Sequence, residues 1–354
     1  MARRILGLGP VTWVLLAAVP AAVALSFGGA PPALVFAACG LGIVPLAGLM
    51  GEATEALAHR SGPAVGGLLN ATFGNAAELI ITVFALRAGL IALVKASLIG
   101  SILGNLLVIL GLSIVAASWR VPEIRFSATA AAASLGMMVL AVAAFAAPAL
   151  YAIAHPAPEP DAILHISDGV AIFLVATYLL SLLFTLRTHR TLLTPDVGGG
   201  QHHWGPGQAV AVLAVATAFV AWLSEILVGV TEQASHSIGL SEVFLGLVVI
   251  PVIGNAAEHA TAVVVARKGQ MELAFQIATG SSTQVALFVA PLLVGAGHLM
   301  GRRMDFAFTS FEVAALGLTS IAVAFVALDG KSNWFEGVQL LGLYGVLAVV
   351  AFFI

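Results

Sequence analysis

The pentapeptide GNAAE occurs twice in the chain, as Gly74–Glu78 and as Gly254–Glu258, and both copies lie inside long apolar runs. In each copy the asparagine and the glutamate are three residues apart, so a helix places both side chains on one face. A carboxylate at the centre of a membrane-spanning helix costs about 2.5–3.5 kcal/mol on insertion scales. The glycine allows the helix to open and to expose carbonyl oxygens, which is tolerated where they line a cavity. Two such glutamates at matching positions therefore predict a functional site.

A second polar sequence follows each pentapeptide, in the next predicted helix. It reads GSILGN in the first half, with Ser101 and Asn105, and GSSTQ in the second half, with Ser281 and Gln284. All of these side chains offer oxygen, which hard cations prefer as a ligand. Two carboxylates with neutral oxygens suit Ca²⁺ better than Mg²⁺, which loses its water reluctantly. The predicted cation ligands are Glu78, Glu258, Asn75, Asn255, Ser101, Ser281, Gln284, Gly74, Gly254 and Asn105.

The two glutamates also predict proton binding. Two adjacent buried carboxylates cannot both stay ionised after a divalent cation leaves, so they take up protons. The alternation of one cation with protons on the same carboxylates is an antiport mechanism. A structural ion pair is the alternative, and Lys95 is the intramembrane cation nearest in the sequence.

Five further residues are candidates for the ion entrance or a proton relay. They are Glu52, Glu55, Glu232, Glu225 and His259. The alternative for Glu52, Glu55 and Glu232 is a position at a solvated helix end. The alternative for Glu225 is a hydrogen bond that packs two helices, and for His259 it is a histidine of the core.

The composition places this chemistry in a membrane. Of the 354 residues, 60% are hydrophobic and 9% are charged, whereas an ordinary soluble domain has about 25% charged residues. The single cysteine, Cys39, excludes an internal disulfide framework. The sequence contains neither HExxH nor a GxxxxGK[ST] loop, so we expect neither an enzyme nor an ATP-driven pump. We expect no cofactor and no nucleic-acid partner; the expected partners are lipid, Ca²⁺ and H⁺, with a homo-oligomer possible.

The apolar runs predict an all-α membrane protein of eleven spanning helices. Ten of the 14 Lys and Arg residues fall on the side of the N-terminus, which predicts a cytoplasmic N-terminus and, because eleven is odd, an outside C-terminus. We expect the inner membrane of a bacterium. The predicted helices cover 10–27, 33–58, 64–86, 90–118, 127–153, 166–187, 207–235, 241–266, 271–297, 306–328 and 336–354.

The two pentapeptides belong to a longer internal repeat. When the sequence is shifted by 180 residues, positions 52–107 match 232–287 at 15 of 56 positions without a gap. The offset corresponds to five helices, an odd number, so helices 2–6 and 7–11 should have opposite topology. Inverted repeats are typical of secondary transporters, whose site lies near the bilayer midplane. The predicted units are an extra N-terminal helix in 1–32, repeats in 33–187 and 207–354, and a linker in 188–206.

Several strings resemble those of the calcium/proton exchanger family, within the cation/calcium exchanger superfamily. They are GNAAELI, SEILVGVTEQAS, FTLRTHRTL, WFEGVQLLGLY and GNAAEHATAVVVARKGQMELAFQIATGSSTQVALFVAP, and the resemblance covers essentially the whole chain. It implies cation binding between the GNAAE helices and the GS-containing helices, with alternating access by movement of helices 2 and 7 or of the outer helices. It also implies that Glu78 and Glu258 bind the ion and the protons, with supporting ligands at Asn75, Asn255, Ser101, Ser281 and Gln284.

The sequence departs from the family at two places. Some members have a second acidic residue after the first glutamate, where this chain has Leu79, and the linker holds a single acid, Asp196, instead of an acidic stretch. A sodium-coupled exchanger of the same fold is the alternative function. Acidic residues in the GS-containing helices would favour sodium coupling, whereas the neutral Asn105 and Gln284 fit coupling to protons.

Overall fold

The computed structural model describes residues 10–155, 159, 161–188 and 204–354. Their regular structure is helical apart from two short antiparallel strands, β1 (Ile124–Arg125) and β2 (Lys331–Ser332). The helices are α1 (Pro10–Leu16), α2 (Ala18–Phe27), α3 (Pro32–Arg60), α4 (Gly62–Phe73), α5 (Ala76–Ala88), α6 (Ile91–Ser118), α7 (Ala128–Ala154), α8 (Ala162–Leu183), α9 (Pro206–Ile238), α10 (Glu242–Gly254), α11 (Ala256–Arg267), α12 (Met271–Met300), α13 (Ser310–Ala327) and α14 (Trp334–Phe352).

Eight of these helices are long and apolar enough to cross a membrane, namely α3, α6, α7, α8, α9, α12, α13 and α14. A ninth span results if α10 and α11, which are bent by 60° at their junction, are counted together. The chain is thus a helical membrane protein. The prediction of eleven spans goes beyond this count and stays a prediction, as do the unit boundaries.

The predicted helix 306–328 is wrong at its start, because the chain remains extended up to Thr309. Met304, Phe306 and Phe308 alternate with more exposed residues and are at most 4% exposed, so the segment buries its apolar side chains as a strand does. The helix begins after Thr309, whose hydroxyl accepts from the Glu312 N–H while the Glu312 carboxylate accepts from the Thr309 N–H. This reciprocal capping fixes the first turn.

The helices that contain the two pentapeptides are both broken within the motif. The helix predicted over 64–86 divides at Gly74 and Asn75 into α4 and α5, and the one predicted over 241–266 divides at Asn255 into α10 and α11. The predicted helix 10–27 is also divided, at Ala17. The two breaks in the pentapeptides start new helices whose first turns contain Glu78 and Glu258. A helix N-terminus favours negative charge, so each break is a suitable position for a carboxylate.

The GS-containing helices have π-helical stretches at matching positions. In α6 the stretch is Gly104–Ile109, which begins within the polar sequence, and in α12 it is Val285–Val289, directly after the polar sequence. Two further stretches are Phe184–Thr188 at the end of α8 and Leu245–Val249 in α10, whereas the residues 65–69 of α4, which match the latter, form a regular α-helix. π-Helical turns inside α-helices are frequent at functional sites.

The two halves are packed differently at matching glycines. A Cβ atom added at Gly100 of α6 would lie 2.1 Å from the carbonyl oxygen of Leu247 in α10, and one added at Gly246 would lie 2.8 Å from that of Leu93. The backbones of α6 and α10 are therefore in direct contact, as small residues permit in membrane helices. At Gly280 of α12, which matches Gly100, no atom of the described residues lies within 4 Å of the added Cβ.

Candidate cation site

The predicted ligands meet in the interior, where α5 and α6 face the start of α11 and the middle of α12. The side chains of Asn75, Glu78, Ser101, Asn255 and Ser281 are at most 5% exposed. Asn105 is 1% exposed. Such deep burial of polar groups is tolerated when hydrogen bonds or a bound ion satisfy them.

The carboxylate of Glu78 is held by one residue from each half of the chain. Its Oε1 atom accepts hydrogen bonds from the Ser101 hydroxyl of α6 and from the Asn255 amide, the latter at 2.7 Å between Nδ2 and Oε1. The same Asn255 Nδ2 lies 3.3 Å from the Ser101 hydroxyl. Asn255, which lies at the break between α10 and α11, thus contacts two residues of the first half of the chain.

Asn75 makes the reciprocal contacts with the second half. Its Nδ2 donates to Gln284 Oε1 at 2.7 Å, and its Oδ1 accepts from the Ser281 hydroxyl at 3.0 Å. Ser281 in turn accepts from Asn105 Nδ2 at 3.0 Å and lies within hydrogen-bonding reach of the Glu258 carboxylate. Because the serine has one hydrogen, Asn75 and Glu258 compete for it. Each asparagine therefore contacts the GS-containing helix of the opposite half.

Three buried oxygens of this network accept no hydrogen bond within the described residues: Glu78 Oε2, Glu258 Oε2 and Asn105 Oδ1. The two carboxylates are close enough to repel each other. A buried charge without a partner is strongly unfavourable. Two carboxylates with free oxygens in one polar cluster, surrounded by amide and hydroxyl oxygens, form a donor set that fits a divalent hard cation.

Because Gly254 has no side chain, the second half of the chain can approach the Glu78 side chain closely at this position. A Cβ atom there would lie 2.7 Å from Cγ of Glu78, which is closer than atoms in contact can approach. At Gly74 the added atom would meet a carbonyl oxygen of its own helix, Asn70 O, at 2.5 Å. Both glycines thus permit close approaches, but that of Gly254 is to the carboxylate itself.

The candidates for an ion entrance or a proton relay lie apart from the buried network. Glu52 and Glu55 on α3 and Glu225 and Glu232 on α9 are exposed. His259 on α11 is partly exposed, and its buried Nε2 makes no hydrogen bond within the described residues. The four acids thus lie on exposed faces of α3 and α9, whereas Glu78 belongs to the buried network.

The described ion pair of Lys95 is with Asp305 and not with Glu78 or Glu258. Its amino group lies 2.5 Å from Asp305 Oδ1 and 3.1 Å from the carbonyl oxygen of Ala307. Within the described residues no group of three or more His, Cys, Asp or Glu side chains could hold a metal. The carboxylates of the site are therefore two, supplemented by neutral oxygens.

Two polar residues beside the site escaped the sequence prediction. Thr82 and Ser97 line a narrow void together with Glu78 and Ser101, and the apolar wall is formed by Leu98, Val285 and Val289. Thr82 follows Glu78 by four residues and Ser97 precedes Ser101 by four. Helical spacing alone could have identified both, because residues four apart share a face.

Comparisons with known proteins extend over nearly the whole chain. The family model described as sodium/calcium exchanger protein matches residues 32–187 and 208–353. The Ca²⁺/H⁺ antiporter of Synechocystis sp. is 42% identical, with 96% of each chain covered. The Ca²⁺/H⁺ antiporter ChaA of Bacillus subtilis is 38% identical, covering 96% of this chain and 98% of its own. The structure of native YfkE superimposes with a TM-score of 0.86 at 36% identity, covering 97% of this chain and 100% of that one.

Proposed function

Because the chain belongs to the sodium/calcium exchanger protein family, we propose that it is an antiporter that exchanges Ca²⁺ for H⁺ across a membrane. Relatives named Ca²⁺/H⁺ antiporter are 42% and 38% identical over 96% of this chain. The observation that carries the proposal is the buried pair of Glu78 and Glu258, each with an oxygen that accepts no described hydrogen bond. We expect neither a catalytic activity nor a resident cofactor, since the ions are the transported substrates.

Charge balance explains the exchange. The two carboxylates neutralise one divalent cation, and the pair is neutral again when protons replace the cation. Ca²⁺ requires six to eight oxygen ligands, and the supporting ligands are the carbonyl oxygens near Gly74 and Gly254 with the side chains of the network. Asn75 and Asn255 now donate through Nδ2, so a rotation of each amide would turn its oxygen to the ion.

We further propose that the site opens alternately to the two sides of the membrane, in an eleven-helix fold made of two inverted repeats. The packing of the matching glycines supports this. The contact between α6 and α10, called here the α6–α10 seam, is closed at Gly100. At its counterpart, Gly280, an added Cβ has no contact within 4 Å among the described residues. In inverted repeats such an asymmetry closes one face of the site and leaves the other open. In the predicted orientation α4 begins at the cytoplasmic face. The site is therefore open toward the cytoplasm.

The exposed acids on α3 and α9 fit an ion entrance. A carboxylate in a membrane-spanning helix is costly in lipid and faces water or a polar partner. Glu52 and Glu55 lie in the last third of α3, and Glu225 and Glu232 lie in the second half of α9. We propose that these acids concentrate cations at the two faces. His259 remains our candidate for a proton relay beside Glu258.

Acid-loaded liposomes test the proposed function. With the protein reconstituted, an outward proton gradient should drive uptake of radioactive Ca²⁺ without Na⁺, and dissipation of the gradient by a protonophore together with a K⁺ ionophore should stop it. Uptake that follows an outward Na⁺ gradient and ignores the proton gradient would assign the chain to sodium-coupled exchange. An absence of uptake under both gradients would reject the proposal. The inner membrane of a bacterium is the proposed location.

Replacement of Gly254 by Ala should weaken Ca²⁺ binding while the protein still folds. The new Cβ would lie 2.7 Å from Glu78 Cγ, so the glutamate must leave its position between Ser101 and Asn255. We expect the Kd for Ca²⁺ to rise about 10- to 100-fold, the range found when supporting contacts of a metal ligand are lost. Isothermal titration calorimetry of the purified protein measures it. Gly229→Ala is the control, because a Cβ at Gly229 of α9 meets no described atom within 4 Å. Equal losses of affinity in both variants would contradict the role of Gly254.

A further inference from the structure

The second oxygen of Glu78 and the hydroxyl of Ser97 belong to residues that line one narrow void, which is too small for a water molecule. Glu78 is 3% and Ser97 2% exposed. Neither Glu78 Oε2 nor Ser97 Oγ has a hydrogen-bond partner within the described residues. A buried acceptor and a buried donor, each unsatisfied and lining one small space, would satisfy each other.

The other hydroxyls that line this void have already donated their hydrogen. The Thr82 hydroxyl donates to the main-chain oxygen of Glu78 at 2.8 Å, and the Ser101 hydroxyl donates to Glu78 Oε1. Buried hydroxyls on helices usually bond to the carbonyl oxygen one turn back, as Thr279 and Ser282 do on α12. Ser97 does not, so its hydrogen is available to the void.

We propose that Ser97 is a positioning residue for Glu78. A rotation of the Ser97 side chain lets its hydroxyl donate to Glu78 Oε2, which neither atom's present contacts prevent. This bond holds the carboxylate with Oε1 toward Ser101 and Asn255, the side proposed for the cation. Carboxylates that ligate metals are commonly oriented by such outer hydrogen bonds. The role in cation binding rests on the proposed function, whereas the hydrogen bond itself does not.

The second half of the chain has no hydroxyl at the positions that match Thr82 and Ser97. The residues 180 positions after Thr82 and Ser97 are Ala262 and Ile277, neither of which has a hydrogen-bonding side chain. Glu258 therefore has no equivalent outer donor at these positions. The two carboxylates are thus unequal, since Glu78 is oriented from behind and Glu258 depends on Ser281, which it shares with Asn75.

Ca²⁺ binding and transport of three variants test this role. In Ser97→Ala we expect the Kd and the KM for Ca²⁺ to rise about 10- to 100-fold, in the range for lost outer hydrogen bonds, with a smaller change in maximal rate. Ser97→Thr keeps the hydroxyl and should restore near-normal affinity. Ser113→Ala is the matched control, because Ser113 is also on α6, fully buried and without a described partner. Wild-type affinity in Ser97→Ala, or an equal loss in Ser113→Ala, would overturn the proposal.

Infrared spectroscopy separates this proposal from the function of the protein. The carboxyl bands of Glu78 are identified by their loss in Glu78→Gln, and they should shift in Ser97→Ala but not in Ser113→Ala. This readout needs neither Ca²⁺ nor transport. If wild-type protein failed to bind Ca²⁺ but the bands shifted, the proposed function would fail and the positioning contact would stand. Unshifted bands would reject the contact.

Discussion

The Glu258→Gln variant should fold normally and show no proton-driven Ca²⁺ uptake. Glutamine has nearly the shape of glutamate, so it can still accept from Ser281, but it can neither bind a proton nor balance the second charge of Ca²⁺. We expect Ca²⁺ affinity to fall by more than about 100-fold, since the loss of an outer contact alone costs 10- to 100-fold. Uptake of radioactive Ca²⁺ into acid-loaded liposomes and calorimetric titration measure the two effects.

The matched control is Glu242→Gln, which removes the same charge at the start of α10. Glu242 is partly exposed and lies outside the buried network, so its replacement should leave uptake and affinity close to those of the wild type. Glu78→Gln should resemble Glu258→Gln. Retained proton-driven uptake in either site variant would show that the paired carboxylates are not the coupling groups, whatever the fold.

The membership of the site was largely predictable from the sequence, but its contacts were not. The repeat and the helical spacing predicted that Asn75, Glu78, Asn255 and Ser281 lie together, and the structure joins them in two hydrogen-bonded pairs across the halves, Asn255 with Glu78 and Ser281 with Asn75. Local spacing cannot reveal that each asparagine contacts the GS-containing helix of the opposite half. That pairing depends on how the halves pack, and it explains why the motif occurs twice: each copy completes the polar shell of the other.

The predicted start of a helix at residue 306 was wrong because apolar residues can also be buried in an extended segment. Residues 306–308 before α13 are apolar, yet they continue an extended segment in which buried and more exposed positions alternate. Asp305 in this segment binds Lys95. Hydrophobicity measures burial and does not distinguish an extended segment from a helical one. The sequence TSFE at Thr309–Glu312 carries the spacing of a capping box, and with that signal the helix start could have been predicted.

The largest structural effect is expected from Gly100→Ala. Its Cβ would lie 2.1 Å from the Leu247 carbonyl oxygen and 2.7 Å from Leu247 Cα, and a backbone cannot yield as a flexible side chain does. Overpacking costs about 1–3 kcal/mol, and a contact this short should reach the upper end of that range. Thermal unfolding in detergent, followed by size-exclusion chromatography, should show a clearly lowered melting temperature.

Gly280→Ala is the control for the same chemical change at the matching position. Because no atom of the part of the chain that the structure describes lies within 4 Å of a Cβ at Gly280, the melting temperature of this variant should equal or slightly exceed that of the wild type, since alanine is the better helix former. If both seams were closed equally in solution, the two variants would lose similar stability, and the open face inferred from the glycines would be wrong. A loss confined to Gly100→Ala means that one seam is closed while its counterpart is open, which is the asymmetry that alternating access requires. Under the proposed alternating access the seam at Gly280 closes during each cycle, so Gly280→Ala should slow transport more than it affects stability.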